Sequence, residues 1–316
     1  MAKFWTTWRL SVILVIGWAL VHTLFISPPR DFEAGKVVTV AEGSSLTEIA
    51  AHFAEAKVVR SPTIFKYLIY FAKPKGVAVA GDYVFPKPAN AVAVANRLAR
   101  GQYGIEPVEV TIPEGATSYE IAELIAKVIP TFNQEGFTDL ATPREGYLFP
   151  DTYTFQPTWS AARIVGMMED QFEAKFKTLE SLLETSGRTS EQVVIMASLL
   201  EREARTTESR QMIAGILWKR LDEGMPLQVD AVFPYIIGKN TFEVTRKDLA
   251  TSSPYNTYRF RGLPAGPIAN PGLDSLTAAL TPIESDYWFY LSDASGRFHY
   301  ATDFDGHKLN RIRYLP

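Results

Sequence analysis

Two stretches of this chain repeat one another at a constant offset of seventy-two residues: Thr39 to Ala50 reads TVAEGSSLTEIA and Thr111 to Ala122 reads TIPEGATSYEIA. Each copy predicts a strand (Val37 to Val40; Val108 to Ile112), a Glu-Gly turn, a hydroxyl cap and a helix. Ser45 with Glu48, and Thr117 with Glu120, have capping-box spacing. In that motif the hydroxyl accepts from a backbone N–H of the first turn while the carboxylate reaches back to the cap residue's own N–H. A chain assembled from such strand–helix units, with further helical stretches downstream, falls in the α+β class.

At 316 residues the chain is long enough for more than one core, and 47% hydrophobic with 21% charged residues is the make-up of a packed protein. Its formal net charge of -3 argues against the basic footprint that binding nucleic acid requires. Cysteine is absent, which removes thiol nucleophiles, disulfides and Cys-ligated metals together. The four histidines, His22, His52, His299 and His307, are scattered, so neither a metal site nor a histidine triad is expected, and no cofactor is implied.

Leu10 to Ile26 is a mostly apolar run, preceded by Lys3 and Arg9, with Trp5 and Trp8 at interfacial positions. The pattern predicts a single transmembrane anchor over 10–28, with residues 1–9 in the cytoplasm and the remainder on the extracytoplasmic side. Ile26-Ser27-Pro28-Pro29-Arg30 is a poor cleavage site, so a retained anchor is preferred to a signal peptide. Downstream, 37–105 carries Gly81-Asp82-Tyr83 and a helix from Val92 to Arg100. With the first repeat copy, this stretch resembles a LysM-like module, a small fold associated with N-acetylglucosamine-containing glycans. Residues 106–316 form the expected catalytic domain, with a second half-repeat at 108–127.

In that second part, Glu145 to Phe155 reads EGYLFPDTYTF, a loop or short strand whose aromatic and acidic groups suit a saccharide cleft. Burial of Phe149 and Tyr153 in a packed turn is the competing reading. Val193 to Leu200 is apolar or small at every position and stops at Glu201-Arg-Glu-Ala204, which predicts a helix buried on all sides, capped by Thr189 or Ser190. Glu201 projects from its end beside Ala197 and Ser198, where desolvation raises a carboxyl toward the range of a general acid. Glu203 points about 200° away on the same helix and is a poor second carboxylate. A further helix from about Glu208 to Asp222 ends at Gly224. The Pro/Gly-dense segments after it carry amide and hydroxyl groups able to grip a glycan. Alongside Glu201 as catalytic acid/base, the candidate substrate contacts are Glu145, Tyr147, Asp151, Ser198, Gln228, Asp230, Tyr255 and Asn256.

EGYLFPDTY at 145–153, ASLLERE at 197–203, Arg220-Leu with LQVD at 227–230, SPYNTY at 253–258 and GLPAGPIANPG at 262–272 together resemble the MltG/YceG-like endolytic murein transglycosylase family. Where that family commonly has Asp-Pro-Thr-Val-x-Tyr, this chain has Asp230-Ala-Val-Phe-Pro-Tyr235, with Val232 for the usual Thr and an added Pro234. The resemblance implies a lyase that cleaves the β-1,4 bond between N-acetylmuramic acid and N-acetylglucosamine, leaves a 1,6-anhydromuramoyl end and ends strand elongation. By the same resemblance Glu201 takes the place of the catalytic glutamate. Nascent glycan strands are the implied partner, near the synthases that make them. The alternatives are a non-catalytic glycan-binding scaffold and a muramidase that uses water; the latter needs a second carboxylate such as Asp151 or Asp230.

Overall fold

The computed structural model describes residues 12, 15–41, 43–72, 78–239 and 243–315. Contacts divide the chain into two compact units, Met1–Pro107 with Gln156–Trp159, and Val108–Phe155 with Ser160–Pro316. Both are mixed α and β, and each sheet is a two-stranded antiparallel ladder.

The expected anchor is corrected. Residues 10, 11, 13 and 14 lie outside the described residues, as do residues 1–9. What is described is a helix, α1, over 15–21 that continues as a wider π turn, His22–Ile26, and stops at Ser27. No helix among the described residues is long and apolar enough to cross a membrane. At about 1.5 Å per residue, 15–26 falls well short of a bilayer's roughly 30 Å. Its end is also tied down: Arg60 donates from Nη1 to the Thr23 carbonyl at 2.9 Å, and from Nε and Nη2 to the Pro28 carbonyl at 3.0 and 2.8 Å.

The first unit runs β1 (Val37–Val40), α2 (Leu46–Glu55), α3 (Pro62–Ala72), β2 (Gly81–Val84) and α4 (Ala91–Arg100). β1 pairs with β2 so that Val38 meets Tyr83 and Val40 meets Gly81. Val38, Val40 and Tyr83 face inward onto Phe53, Phe65, Ile69 and Leu98, which are fully buried or nearly so. Ser45 caps α2 with Glu48 in the box the spacing predicted, though Glu42 of the preceding turn lies outside the described residues.

The second unit opens with β3 (Val108–Thr111), α5 (Ser118–Val128) and α6 (Gln134–Ala141). It continues through β4 (Thr152–Phe155), α7 (Ala161–Lys177) and α8 (Glu180–Ser186) to the central α9 (Ser190–Glu203). α10 (Thr207–Asp222), α11 (Val232–Ile237), α12 (Leu273–Leu280), the hairpin β5 (Phe289–Ser292) with β6 (Phe298–Ala301), and α13 (Phe304–Tyr314) complete it. The second capping box forms at Thr117 and Glu120, and a third at Thr189 and Gln192 starts α9. Every residue from Val193 to Leu200 is buried, so α9 is wrapped as its sequence required. Phe149 and Tyr153 are buried too, with the Tyr153 hydroxyl donating to the Phe149 carbonyl at 2.6 Å. Pro234 is the third residue of α11, where its missing N–H costs no intrahelical bond.

Gly146 shows how tightly the turn before β4 is held. Its φ is +88°, and an added Cβ would lie 2.5 Å from Pro267 and 2.9 Å from Val194. Gly146→Ala is therefore expected to destabilise the chain by about 2–3 kcal/mol, from backbone strain and overpacking together. Urea denaturation of the two proteins measures it, and an unchanged midpoint would contradict the argument.

Candidate active site

The two glutamates at the end of α9 point to opposite sides, as a 200° separation demands. Glu201 enters a charged cluster that has little contact with solvent. Its Oε1 accepts from Arg210 Nη2 at 2.5 Å and its Oε2 from Gly272 N at 2.9 Å, and its side chain is only 4% exposed. Arg210, itself buried, reaches from α10 to Asp274 Oδ2 with Nη1 and to the Ala204 carbonyl with Nε. Glu114, from the second Glu-Gly turn, lies against the same group. Desolvation first, then the Glu201 charge, push its carboxyl above the ordinary range. Both Glu201 oxygens therefore accept a hydrogen bond from a neighbouring element, one from α10 and one from the start of α12.

Glu203 occupies a different environment. Its Oε1 accepts from Ala231 N at 3.3 Å, and the Tyr290 hydroxyl of β5 bonds its carboxyl. Desolvation, and then the nearby Asp230 charge, push it up to about 7. Asp230 is raised as well, chiefly by desolvation, and is opposed by the Tyr258 hydroxyl, which donates to its Oδ1 at 2.5 Å. Arg311 of α13 also lowers it, so the C-terminal helix contributes charge to this site. Arg220 ties the loop before Asp230 to the start of β5: Nη1 donates to the Leu227 carbonyl at 2.8 Å and Nε to the Trp288 carbonyl at 2.7 Å. Gln228, in the loop between Leu227 and Asp230, is exposed and takes a left-handed φ of +54°. Such strain in a non-glycine residue accumulates where a loop is bent to serve a site.

The remaining candidates fall elsewhere. Glu145 is buried and accepts from Ser118 N and Oγ and from Asn270 Nδ2. Burial pushes it up to about 7 against those bonds. Asn270, fully buried, also receives Gly146 N and Leu148 N on its Oδ1, so this pair stitches the 145–148 turn to the start of α5. Ser198 donates to the Ile195 carbonyl and accepts from Ile268 N inside the core. Asn256 bonds the Leu249 and Thr251 carbonyls and Tyr258 N, which shapes the loop carrying Tyr258. Asp151 accepts from Gln171 Nε2 at 2.8 Å, Tyr147 packs on Phe172, and Tyr255 packs on Tyr235. Of the nine sequence candidates, Asp230 acts on Glu203 through its charge and Gln228 lies in the same loop, while Glu201 is on the other side of α9. Glu203, Tyr258, Tyr290 and Arg220 were not among them, although the 200° rule already showed that one glutamate had to face away from the other.

A desolvated carboxyl raised to about 7, with a second carboxylate and two tyrosine hydroxyls around it, is an arrangement able to perform general acid–base chemistry. The chain belongs to the YceG-like family, whose pattern it matches over residues 38–313. It is 31% identical to the endolytic murein transglycosylase of Bacillus subtilis (strain 168), over 96% of this chain and 91% of that protein. It is 28% identical to the endolytic murein transglycosylase of Streptococcus pneumoniae (strain D39), over 91% of this chain but 60% of that longer protein. A YceG-like protein of Listeria monocytogenes, known from its crystal structure, superposes with a TM-score of 0.59 at 28% identity, covering 88% of this chain and 99% of that one.

Proposed function

We infer that this chain is an endolytic murein transglycosylase, a lyase acting on peptidoglycan, and that Glu203 is its acid/base. The activity follows from the relatives that share it over nearly the whole chain. The observation that carries the residue assignment is the Glu203 carboxyl, raised to about 7 beside Asp230 and Tyr290, against a Glu201 closed off by Arg210 and Gly272. Protonated Glu203 donates to the glycosidic oxygen between N-acetylmuramic acid and N-acetylglucosamine, and the C1–O bond breaks. The Asp230 carboxylate, held as an acceptor by Tyr258, stabilises the positive charge that develops at the anomeric carbon. The muramoyl C6 hydroxyl then attacks that carbon and returns its proton to Glu203, giving the 1,6-anhydro end without consuming water. An intramolecular nucleophile already in position can replace a carboxylate nucleophile.

A water-using muramidase is the second reading, favoured by the Glu203–Asp230 pair itself, since two carboxyl groups are what hydrolysis requires. Mass spectrometry of glycan strands digested by the full chain separates them. Anhydromuramoyl ends are expected, and reducing ends alone would establish the muramidase. The first unit's β-α-α-β order supports its reading as a LysM-like glycan-binding module. In this reading the catalytic unit works on the extracytoplasmic side, on nascent strands close to the synthases that extend them.

A further inference from the structure

Beside the acid–base site, the second unit contains a cavity of about 360 Å³ between the β5–β6 hairpin and α13, which none of the sequence motifs reaches. Tyr287 and Tyr300 form one wall, stacked at 5.3 Å with their planes 23° apart, and Phe298 lies nearly parallel to Tyr300 at 6.3 Å. Tyr287 lines the cavity and is half-buried. Trp288 N–H donates to the Ala301 carbonyl at 2.9 Å, so the hairpin pairing runs on past β5 and holds Tyr287 where it is.

Polar groups surround the aromatic wall. Asp303 uses one oxygen to cap α13 at Gly306 N, and Asn310 uses its Nδ2 on the Tyr300 carbonyl. Both residues line the cavity, and Asp303 Oδ2 and Asn310 Oδ1 are acceptors not used by those two bonds. Arg313 also lines the cavity and is in no ion pair among the described residues. A half-exposed aromatic face with Asp303, Asn310 and a guanidinium around it matches a pyranose ring, which is apolar on its faces and polar at its edge.

Its position relative to the acid is set by the hairpin register. Tyr290, whose hydroxyl bonds Glu203, is paired directly with Tyr300, and directly opposed residues of an antiparallel pair project from the same face. The ring contacts run from Tyr290, at Glu203, through Phe298 and Tyr300 to Tyr287.

We propose that this cavity is a further sugar subsite, taking an N-acetylhexosamine residue of the strand on Tyr287, with Arg313 placed for a carboxylate carried by a muramoyl residue or its peptide. The proposal rests on the transglycosylase reading and extends the binding site beyond the cleaved bond. The full chain carrying Glu203→Gln serves as a non-cleaving parent, titrated calorimetrically with the hexasaccharide of β-1,4-linked N-acetylglucosamine. Adding Tyr287→Ala is expected to weaken binding about tenfold, the equivalent of one aromatic stacking contact, and Tyr287→Phe to restore it. In the active chain, Tyr287→Ala should raise KM with kcat little changed, and Arg313→Ala should do so on peptide-bearing strands but not on the hexasaccharide's affinity. Equal affinity of the parent and the Tyr287→Ala protein, at matched thermal midpoints, overturns the subsite. So does a parent that binds no hexasaccharide while the active chain still cleaves strands. Failure of the active chain to cleave strands at all would instead strike at the transglycosylase reading.

Discussion

Glu203→Gln is expected to lower kcat for strand cleavage by about 10²–10⁴-fold, the usual contribution of a positioned general acid, with the fold retained. Gln fills the same volume and can still accept from Ala231 N, but it has no proton to give. The wild-type rate should also decline as pH rises past about 7, because the protonated form that does the work is being lost. Stability follows the same group. A carboxyl whose folded value lies above its unfolded one stabilises the fold fully below the unfolded value of 4.5, and that contribution is lost as pH rises toward the folded value of about 7. Glu145, also raised to about 7, acts in the same window. Each can account for at most about 3 kcal/mol between pH 4.5 and 7, from 1.36 kcal/mol per pH unit. Glu203→Gln should therefore match wild type in thermal midpoint at pH 4.5 and exceed it at pH 8. A variant that cleaves at the wild-type rate, or one less stable at pH 8, would remove Glu203 from the acid's role.

Local chemistry was well encoded in the sequence, whereas the direction in which each side chain works was not. The capping boxes at Ser45 and Thr117, the all-buried face of α9 and the irregular 253–272 segment were all visible because each depends on neighbours within a few residues. The anchor was misjudged because hydropathy counts apolar residues but cannot foresee the π turn at His22–Ile26 or Arg60 binding carbonyls thirty-odd residues away. Glu201 and Glu203 present the same problem at the site. Helical periodicity fixed their mutual angle, but the partners each one meets depend on Gly272 and Arg210 closing over the first. Those partners come from α10 and the start of α12, beyond the reach of any local pattern.

Glu201→Ala is expected to destabilise the chain by about 3 kcal/mol, near the lower end of what breaking a buried ion pair costs. The figure is not larger because Arg210 keeps Asp274 and the Ala204 carbonyl. Glu201→Gln should cost less, about 1–3 kcal/mol, since the amide can satisfy Arg210 or Gly272 N but presents an N–H to the other. Glu201 and Arg210 are in direct contact, so their substitutions should be non-additive. The double variant Glu201→Met with Arg210→Met should lose less than the sum of the single losses, because neither leaves the other's charge buried alone. Urea midpoints across the four proteins measure the coupling. Activity decides between the two glutamates: a folded Glu201→Gln protein at a temperature well below its midpoint should still form anhydro ends, and only Glu203→Gln should be silent. If Glu201→Gln keeps the wild-type midpoint and forms no product, the acid is Glu201, and the Arg210 contact must open when substrate binds.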